Sequence, residues 1–185
     1  MSVSTLITAD EFARMSFDGP VELVRGEVVE KTRPGGVHGV TCVNVAVATE
    51  TWARAAKRGG KWTSVINDTG VVTKRDPDTV RGPDVFIVRR DRLPAGQIPQ
   101  GNFPVAPELC IEVRSPHDRW SEVIQKVSEY LAIGVQEVWV VDPERRRVHV
   151  YFADTEPDVL EVGAVLRSRT LPEFECPVED FFRGL

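Results

Sequence analysis

Two carboxylates and one lysine occupy positions in this sequence where charged side chains are uncommon. Glu112 lies inside the apolar run Leu109–Val113, which is typical of a buried central strand. A glutamate is rarely buried unless it is paired or binds a metal. Asp84 opens the similar run Asp84–Val88, and Lys126 lies in the segment that follows Glu112. Carboxylates suit Mg²⁺, and a metal that activates water beside a lysine is the chemistry that phosphodiester hydrolysis needs.

Each of these residues also has a plain structural interpretation, and the residues alone leave both open. Asp84 suits a turn or a cap at the start of its strand. Glu112 shares a strand face with Arg114, so these two side chains could form a structural ion pair. Lys126 falls on the border of the apolar face of its helix, where its stem can lie on the core. It could equally pair with Glu122, one turn earlier.

The elements that must position these residues are short strands between a few helices. The predicted helices are Ala9–Met15, Val37–Arg58, Asp118–Ile133 and a short terminal helix within 176–185 whose Phe181 and Phe182 face inward. The predicted strands are Val21–Arg25, Glu27–Lys31, Trp62–Ile66, Gly70–Lys74, Asp84–Val88, Leu109–Val113, Glu137–Val141, Arg147–Phe152 and Val159–Val162. Arg89–Pro107 contains four prolines and is predicted to be a long surface loop. Length and pattern indicate one α/β domain over residues 1–185.

Composition narrows the class of protein. The chain is 42% hydrophobic and 28% charged, which is ordinary for a globular protein, and its net charge is −5. That charge argues against broad, non-specific nucleic-acid binding but permits a local basic groove. The best basic cluster is Arg54, Lys57, Arg58 and Lys61, which also suits a solvated helix end. The three cysteines are far apart, and the sequence has neither a membrane span nor a signal peptide, so we expect a cytoplasmic protein.

Several segments together resemble one known family. Gly82–Asp84, Pro107–Pro116, Lys126, Tyr130 and Gly134–Trp139 are similar to the Uma2 family, a branch of the PD-(D/E)XK nuclease superfamily. The resemblance covers most of the chain. It implies a restriction-endonuclease-like core, in which a central mixed β-sheet is flanked by α-helices.

The resemblance also implies roles for the charged residues. Asp84 and Glu112 would bind Mg²⁺ or Mn²⁺, with the Val113 carbonyl as a candidate third ligand. The compact form of the motif places a lysine two residues after the second acid, where this chain has Arg114. Uma2-like proteins take the lysine from the following helix, which makes Lys126 the candidate. Arg114 is a poor general base, although it can hold phosphate.

Two further candidates come from the same resemblance. Nucleases of this superfamily place an additional acid near the metal from an early element, and Glu27 is the candidate, with Glu22 as the alternative. His38 falls where Uma2-like sequences tend to have a histidine, although it could equally be a surface or capping histidine.

Two functional hypotheses follow from these residues and from the resemblance. The first is a metal-dependent endonuclease that hydrolyses DNA, and similar proteins tend to form homodimers. The second is a catalytically inactive nuclease-fold module that binds nucleic acid or a protein partner; the acidic pI of about 5.3 and the presence of Arg114 motivate it.

Overall fold

The computed structural model describes residues 6–55 and 59–185 and shows a mixed α/β fold built on a six-stranded sheet. The helices are α1 (Ala9–Phe12), α2 (Gly36–Arg54) and α3 (Trp120–Ala132). The strands are β1 (Val21–Val24), β2 (Glu27–Glu30), β3 (Trp62–Ile66), β4 (Val71–Lys74), β5 (Thr79–Arg81), β6 (Val85–Arg89), β7 (Leu109–Val113), β8 (Glu137–Asp142), β9 (Arg147–Tyr151), β10 (Asp158–Glu161), β11 (Val165–Arg167) and β12 (Glu175–Pro177). Short 3₁₀ turns cover Arg90–Arg92, Pro94–Gly96 and Val178–Phe182.

The large sheet has the order β10-β9-β8-β7-β6-β3. Strands β7 and β8 are parallel, and the other neighbouring pairs in this sheet are antiparallel. A parallel pair needs a crossover connection, and α3 supplies it between β7 and β8. The prediction of a central mixed sheet flanked by helices is therefore confirmed.

Both faces of the large sheet are covered, which explains why every residue of β7 and β8 is buried. On one face, α2 contributes Val45 and Trp52 to a core that also contains Trp139 and the buried pair Phe181 and Phe182. The inward orientation predicted for those two phenylalanines is confirmed. On the other face, α3 buries three side chains against the sheet: Val123, Val127 and Tyr130.

A second, four-stranded sheet has the order β2-β1-β5-β4. Leu23 and Val80 pair across β1 and β5 and form a small core with Ala9 of α1. Helix α1 begins in a capping box, in which the Thr8 side chain and the Glu11 side chain each accept from the other's backbone N–H. Helix α3 also contacts β4, so its polar side faces the small sheet.

Several element boundaries differ from those predicted. Helix α1 ends at Phe12, and α2 ends at Arg54; Lys57 and Arg58 lie outside the described residues. Strands β5, β11 and β12 are absent from the prediction because each has three residues, too few for an alternating pattern to stand out. Within the described residues, no helix combines the length and the apolar character that crossing a membrane requires.

Candidate active site

Asp84 and Glu112 face each other at one end of the large sheet. The antiparallel register of β6 and β7 pairs Val85 with Ile111, and continuing it by one residue places Asp84 opposite Glu112. Side chains directly opposite each other on one sheet face lie close together. The Val113 backbone N–H donates to Asp84 Oδ2 at 2.6 Å, which fixes one oxygen of that carboxylate.

Glu112 is buried, with 8% of its surface exposed, and both of its oxygens have partners from α3. Tyr130 Oη–H donates to Oε1 at 2.6 Å, and Lys126 Nζ donates to Oε2 at 3.0 Å. Burial raises the pKa of Glu112 to about 7, and the nearby Asp84 and Glu22 charges add to the rise while Lys126 opposes it. Glu112 therefore keeps its proton to a higher pH than an exposed glutamate does.

Lys126 links two acids that come from different sheets. Its Nζ lies 2.8 Å from Glu22 Oε1 as well as 3.0 Å from Glu112 Oε2, and 13% of its side chain is exposed. Burial alone would lower the pKa of Lys126, but the Glu112 and Glu22 carboxylates more than offset that effect and raise the pKa. The ammonium group therefore keeps its proton at neutral pH.

Glu22 is held from the other side by Arg81. The β1–β5 register pairs Leu23 with Val80, which places Glu22 opposite Arg81 on the sheet face that points to α3. Arg81 Nη1 lies 2.8 Å from Glu22 Oε2, while its Nε lies 2.6 Å from Glu129 Oε2. The Glu22–Arg81–Glu129 chain of ion pairs thus joins the small sheet to α3 and positions Lys126.

His38 approaches Asp84 from the first turns of α2. Its Nε2 lies 3.2 Å from Asp84 Oδ1, and its Nδ1 lies 3.4 Å from the Cys42 thiol one turn later. Burial lowers the pKa of His38, but the hydrogen bond and charge of Asp84 outweigh this and raise it overall. Burial also raises the pKa of the Cys42 thiol, with a further contribution from Asp84.

These side chains open into a groove that we call the acidic cleft. Six acids and two lysines line it: Glu22, Asp68, Asp84, Glu112, Asp118 and Glu122, with Lys31 and Lys126. Acids outnumber lysines, so the cleft carries an excess of negative charge. Gly82 sits where β5 passes the turn at Asp68, and a Cβ at this glycine would come within 2.7 Å of the Asp68 carbonyl oxygen. The glycine therefore permits the close approach that brings Asp68 to the cleft.

The structure brings most of the predicted residues together. Five of them line the acidic cleft: His38, Asp84, Glu112, Val113 and Lys126. Glu27 does not join them, because it is exposed on β2 and pairs with Val24. Glu22, the alternative to Glu27, does line the cleft. Neighbouring residues of a strand point to opposite faces, so while Leu23 packs into the small core, Glu22 points to the other face of β1, where Lys126 lies.

The distances also decide between the ion pairs that the sequence left open for Arg114 and Lys126. Arg114 Nη1 lies 3.3 Å from Asp142 and 3.2 Å from Glu144, so its ion pairs are with these acids and not with Glu112. Its guanidinium group also lies over the Trp120 ring at 5.3 Å. Lys126 pairs with Glu112 and Glu22.

Sequence reasoning missed two contributors, Arg81 and Asp68. Arg81 lies on β5, and the alternation of Thr79, Val80 and Arg81 after the turn at Asp76 was the only signal for a strand there. Asp68 follows Asn67 in a turn, and aspartate is common in turns because its side chain can accept from nearby backbone N–H groups. The sequence therefore offered no reason to place it in the site. Only the folded structure shows that this turn packs against Gly82 and that Asp68 therefore lines the cleft.

Comparisons with known proteins agree with this fold. The sequence model of the Uma2 family, described as "Putative restriction endonuclease", matches residues 9–179. A crystal structure from Anabaena variabilis ATCC 29413, described as a "putative nuclease belonging to DUF820", superposes with a TM-score of 0.81 at 24% identity. That alignment covers 95% of this chain and 97% of the other. No curated protein matches the sequence. Because the family model spans most of its length, this chain belongs to the Uma2 family.

Proposed function

We propose that the protein is a Mg²⁺- or Mn²⁺-dependent endonuclease that hydrolyses DNA. The observation that carries this proposal is the convergence of Asp84 and Glu112 from adjacent strands on a cleft that also holds a buried, protonated lysine. The nuclease description of the family supports the reaction class.

The donor set of the acidic cleft fits a hard divalent cation. Asp84 and Glu112 offer carboxylate oxygens, the Val113 carbonyl is the proposed third ligand, and Mg²⁺ prefers oxygen ligands of this kind. The excess of acids also supports a bound cation, because the negative charge of the cleft would repel a phosphate group unless a cation compensated it. When bound, such a metal supplies an activated water and charge stabilisation at the phosphoryl oxygens.

We assign Lys126 an electrostatic role. Its raised pKa makes it a poor general base at neutral pH, whereas its ammonium group can stabilise negative charge that develops on a phosphoryl oxygen. Glu22 and Glu112 hold Nζ in place, so little reorganisation is needed. His38 is the remaining candidate proton carrier, positioned by its contact with Asp84.

DNA cleavage tests this proposal. Purified protein incubated with plasmid DNA should cut it when Mg²⁺ or Mn²⁺ is added, and the Asp84→Asn and Glu112→Gln variants should lose cutting by at least about a hundredfold. Glu27→Gln is the matched control, because this acid is exposed on β2 outside the cleft, and it should retain activity. Equal cutting by all four proteins would refute the assignment. Absence of cutting by the parent protein would favour the inactive binding module.

We also propose that the active form is a homodimer that uses the outer face of α2. Four valines on this helix are exposed to between 40% and 60%: Val37 (52%), Val40 (40%), Val43 (60%) and Val47 (59%). An apolar stripe of this kind marks an interaction surface, and symmetric dimers use one patch twice. Light scattering should give a dimer mass for the parent protein and a monomer mass for Val43→Glu, whereas Val159→Glu, an exposed valine on β10, should remain dimeric. Parent protein that is monomeric would refute this proposal.

A further inference from the structure

The Cys42 thiol lies beside the proposed catalytic residues but has no part in the proposed reaction. Cys42 and His38 are one turn apart on α2, so their side chains share a helix face. Cys42 Sγ lies 4.0 Å from His38 Nε2, and that nitrogen lies 3.2 Å from Asp84 Oδ1. One ligand atom from each of these three side chains lies within 4.8 Å of the other two.

These separations are close to those of a tetrahedral zinc site. Zinc binds histidine nitrogen at about 2.0–2.1 Å and cysteine sulfur at about 2.3 Å, so its ligand atoms lie roughly 3.3–3.6 Å apart. The His38–Asp84 distance of 3.2 Å already matches, whereas Cys42 Sγ would have to move about 0.5 Å closer to His38 Nε2 and up to about 1.2 Å closer to Asp84.

The ligand set differs in kind from the set proposed for Mg²⁺. Thiolate and imidazole ligands select zinc and similar ions over Mg²⁺, which prefers oxygen. His38 and Asp84 also line the acidic cleft, whose lining includes none of the four exposed valines of α2, and this cleft gives an ion and a coordinating water a route to the site.

We propose that His38, Cys42 and Asp84 form a binding site for Zn²⁺ and that zinc in this site inhibits the nuclease. On binding, zinc replaces two protons, the one on Cys42 Sγ and the one between His38 Nε2 and Asp84 Oδ1; the thiol proton passes to solvent, and the imidazole keeps one proton on Nδ1. Asp84 would then be bound to zinc through Oδ1, so zinc and the catalytic metal would compete for the same carboxylate, whose Oδ2 already accepts from the Val113 N–H. The inhibitory part of the proposal rests on the proposed nuclease function, whereas the binding part does not.

Cobalt spectroscopy tests the binding part without any assay of activity. Co²⁺ added to the parent protein should produce a thiolate-to-cobalt charge-transfer absorption that saturates at one equivalent and is lost when Zn²⁺ displaces the cobalt. The Cys42→Ser variant should lack this absorption and bind Zn²⁺ more than about tenfold more weakly. Cys176→Ser, which removes a buried cysteine of β12 that does not line the cleft, should retain it. Absence of the absorption in the parent protein, or its persistence in Cys42→Ser, would overturn the zinc site.

The inhibitory part is tested with Mg²⁺-dependent DNA cleavage. Micromolar Zn²⁺ should inhibit the parent protein but inhibit Cys42→Ser at least about tenfold less, while the two cut equally without zinc. Equal sensitivity to Zn²⁺ would overturn the inhibition. If the parent protein does not cut DNA, the proposed nuclease function fails and the inhibitory part fails with it, but the cobalt spectra still decide whether the zinc site exists.

Discussion

Replacement of Lys126 by methionine tests how strongly the buried charges of the acidic cleft depend on one another. Methionine keeps the volume and the apolar stem but removes the ammonium group shared by Glu112 and Glu22. Removing one partner from a buried ion pair costs about 3–5 kcal/mol because the other charge stays buried. Glu22 keeps Arg81 as a partner, so the larger part of this cost falls on Glu112.

The cost should depend on pH in a definite direction. The folded-state pKa of Glu112, about 7, lies above its ordinary value of 4.5, so this residue lowers the stability of the parent protein as pH rises from about 4.5 to 7. Without Lys126 the pKa of Glu112 rises further. The free energy of unfolding then continues to fall above pH 7, by about 1.4 kcal/mol per pH unit. The stability difference between Lys126→Met and the parent should therefore be larger at about pH 8 than at about pH 5.

Urea unfolding followed by circular dichroism at both pH values measures this difference. Lys74→Met, at an exposed position on β4, is the control and should change stability by less than about 0.5 kcal/mol. Adding Glu112→Gln to Lys126→Met should recover stability at the higher pH, because the amide carries no charge to bury. A Lys126→Met variant as stable as the parent at both pH values would refute the account of this ion pair.

Three further predictions concern the same network. Tyr130→Phe removes the hydrogen bond to Glu112 Oε1 and should lower the free energy of unfolding by about 1–3 kcal/mol in urea titrations; no change would show that this hydrogen bond contributes nothing. Arg81→Met removes the cation shared by Glu22 and Glu129, and because Glu22 keeps Lys126 and Glu129 is partly exposed, the cost should be about 1–3 kcal/mol by the same measurement; no cost would contradict the bridging role. Mn²⁺ affinity measured by calorimetry should rise with pH up to about 7 and then level off, because only the deprotonated Glu112 carboxylate is a ligand; an affinity independent of pH would argue against this ligand.

The sequence alone was enough to predict the central elements of the fold. The apolar runs that contain Glu112 and Asp84 predicted buried strands, and the amphipathic pattern after Glu112 predicted α3 with Lys126 at the border of its apolar face. The structure explains this border position. Helix α3 contacts both sheets, and from the edge of its apolar face Lys126 reaches Glu112 on the large sheet and Glu22 on the small one.

The remaining parts of the site depend on long-range pairing that local patterns do not encode. Glu22 and Glu27 both lie in a short hairpin and share one face of it, because Val24 follows Glu22 by two residues and pairs with Glu27. Only the pairing of β1 with β5 determines that Glu22 lies opposite Arg81, whereas Glu27 lies on the edge strand β2. Arg81 was missed for a related reason, since β5 has three residues and its partner β1 lies more than fifty positions earlier in the sequence. The partners of Arg114 likewise come from β8 and the turn after it, which spacing within β7 cannot reveal.

The most direct test of the central claim is a crystal structure of the protein with Mn²⁺, in which anomalous scattering locates the ion. The account predicts a peak within bonding distance of one carboxylate oxygen from Asp84 and one from Glu112, with the Val113 carbonyl as a third ligand and Lys126 Nζ nearby. A saturated crystal with no peak between these two carboxylates, or with its strongest peak elsewhere on the chain, would contradict it.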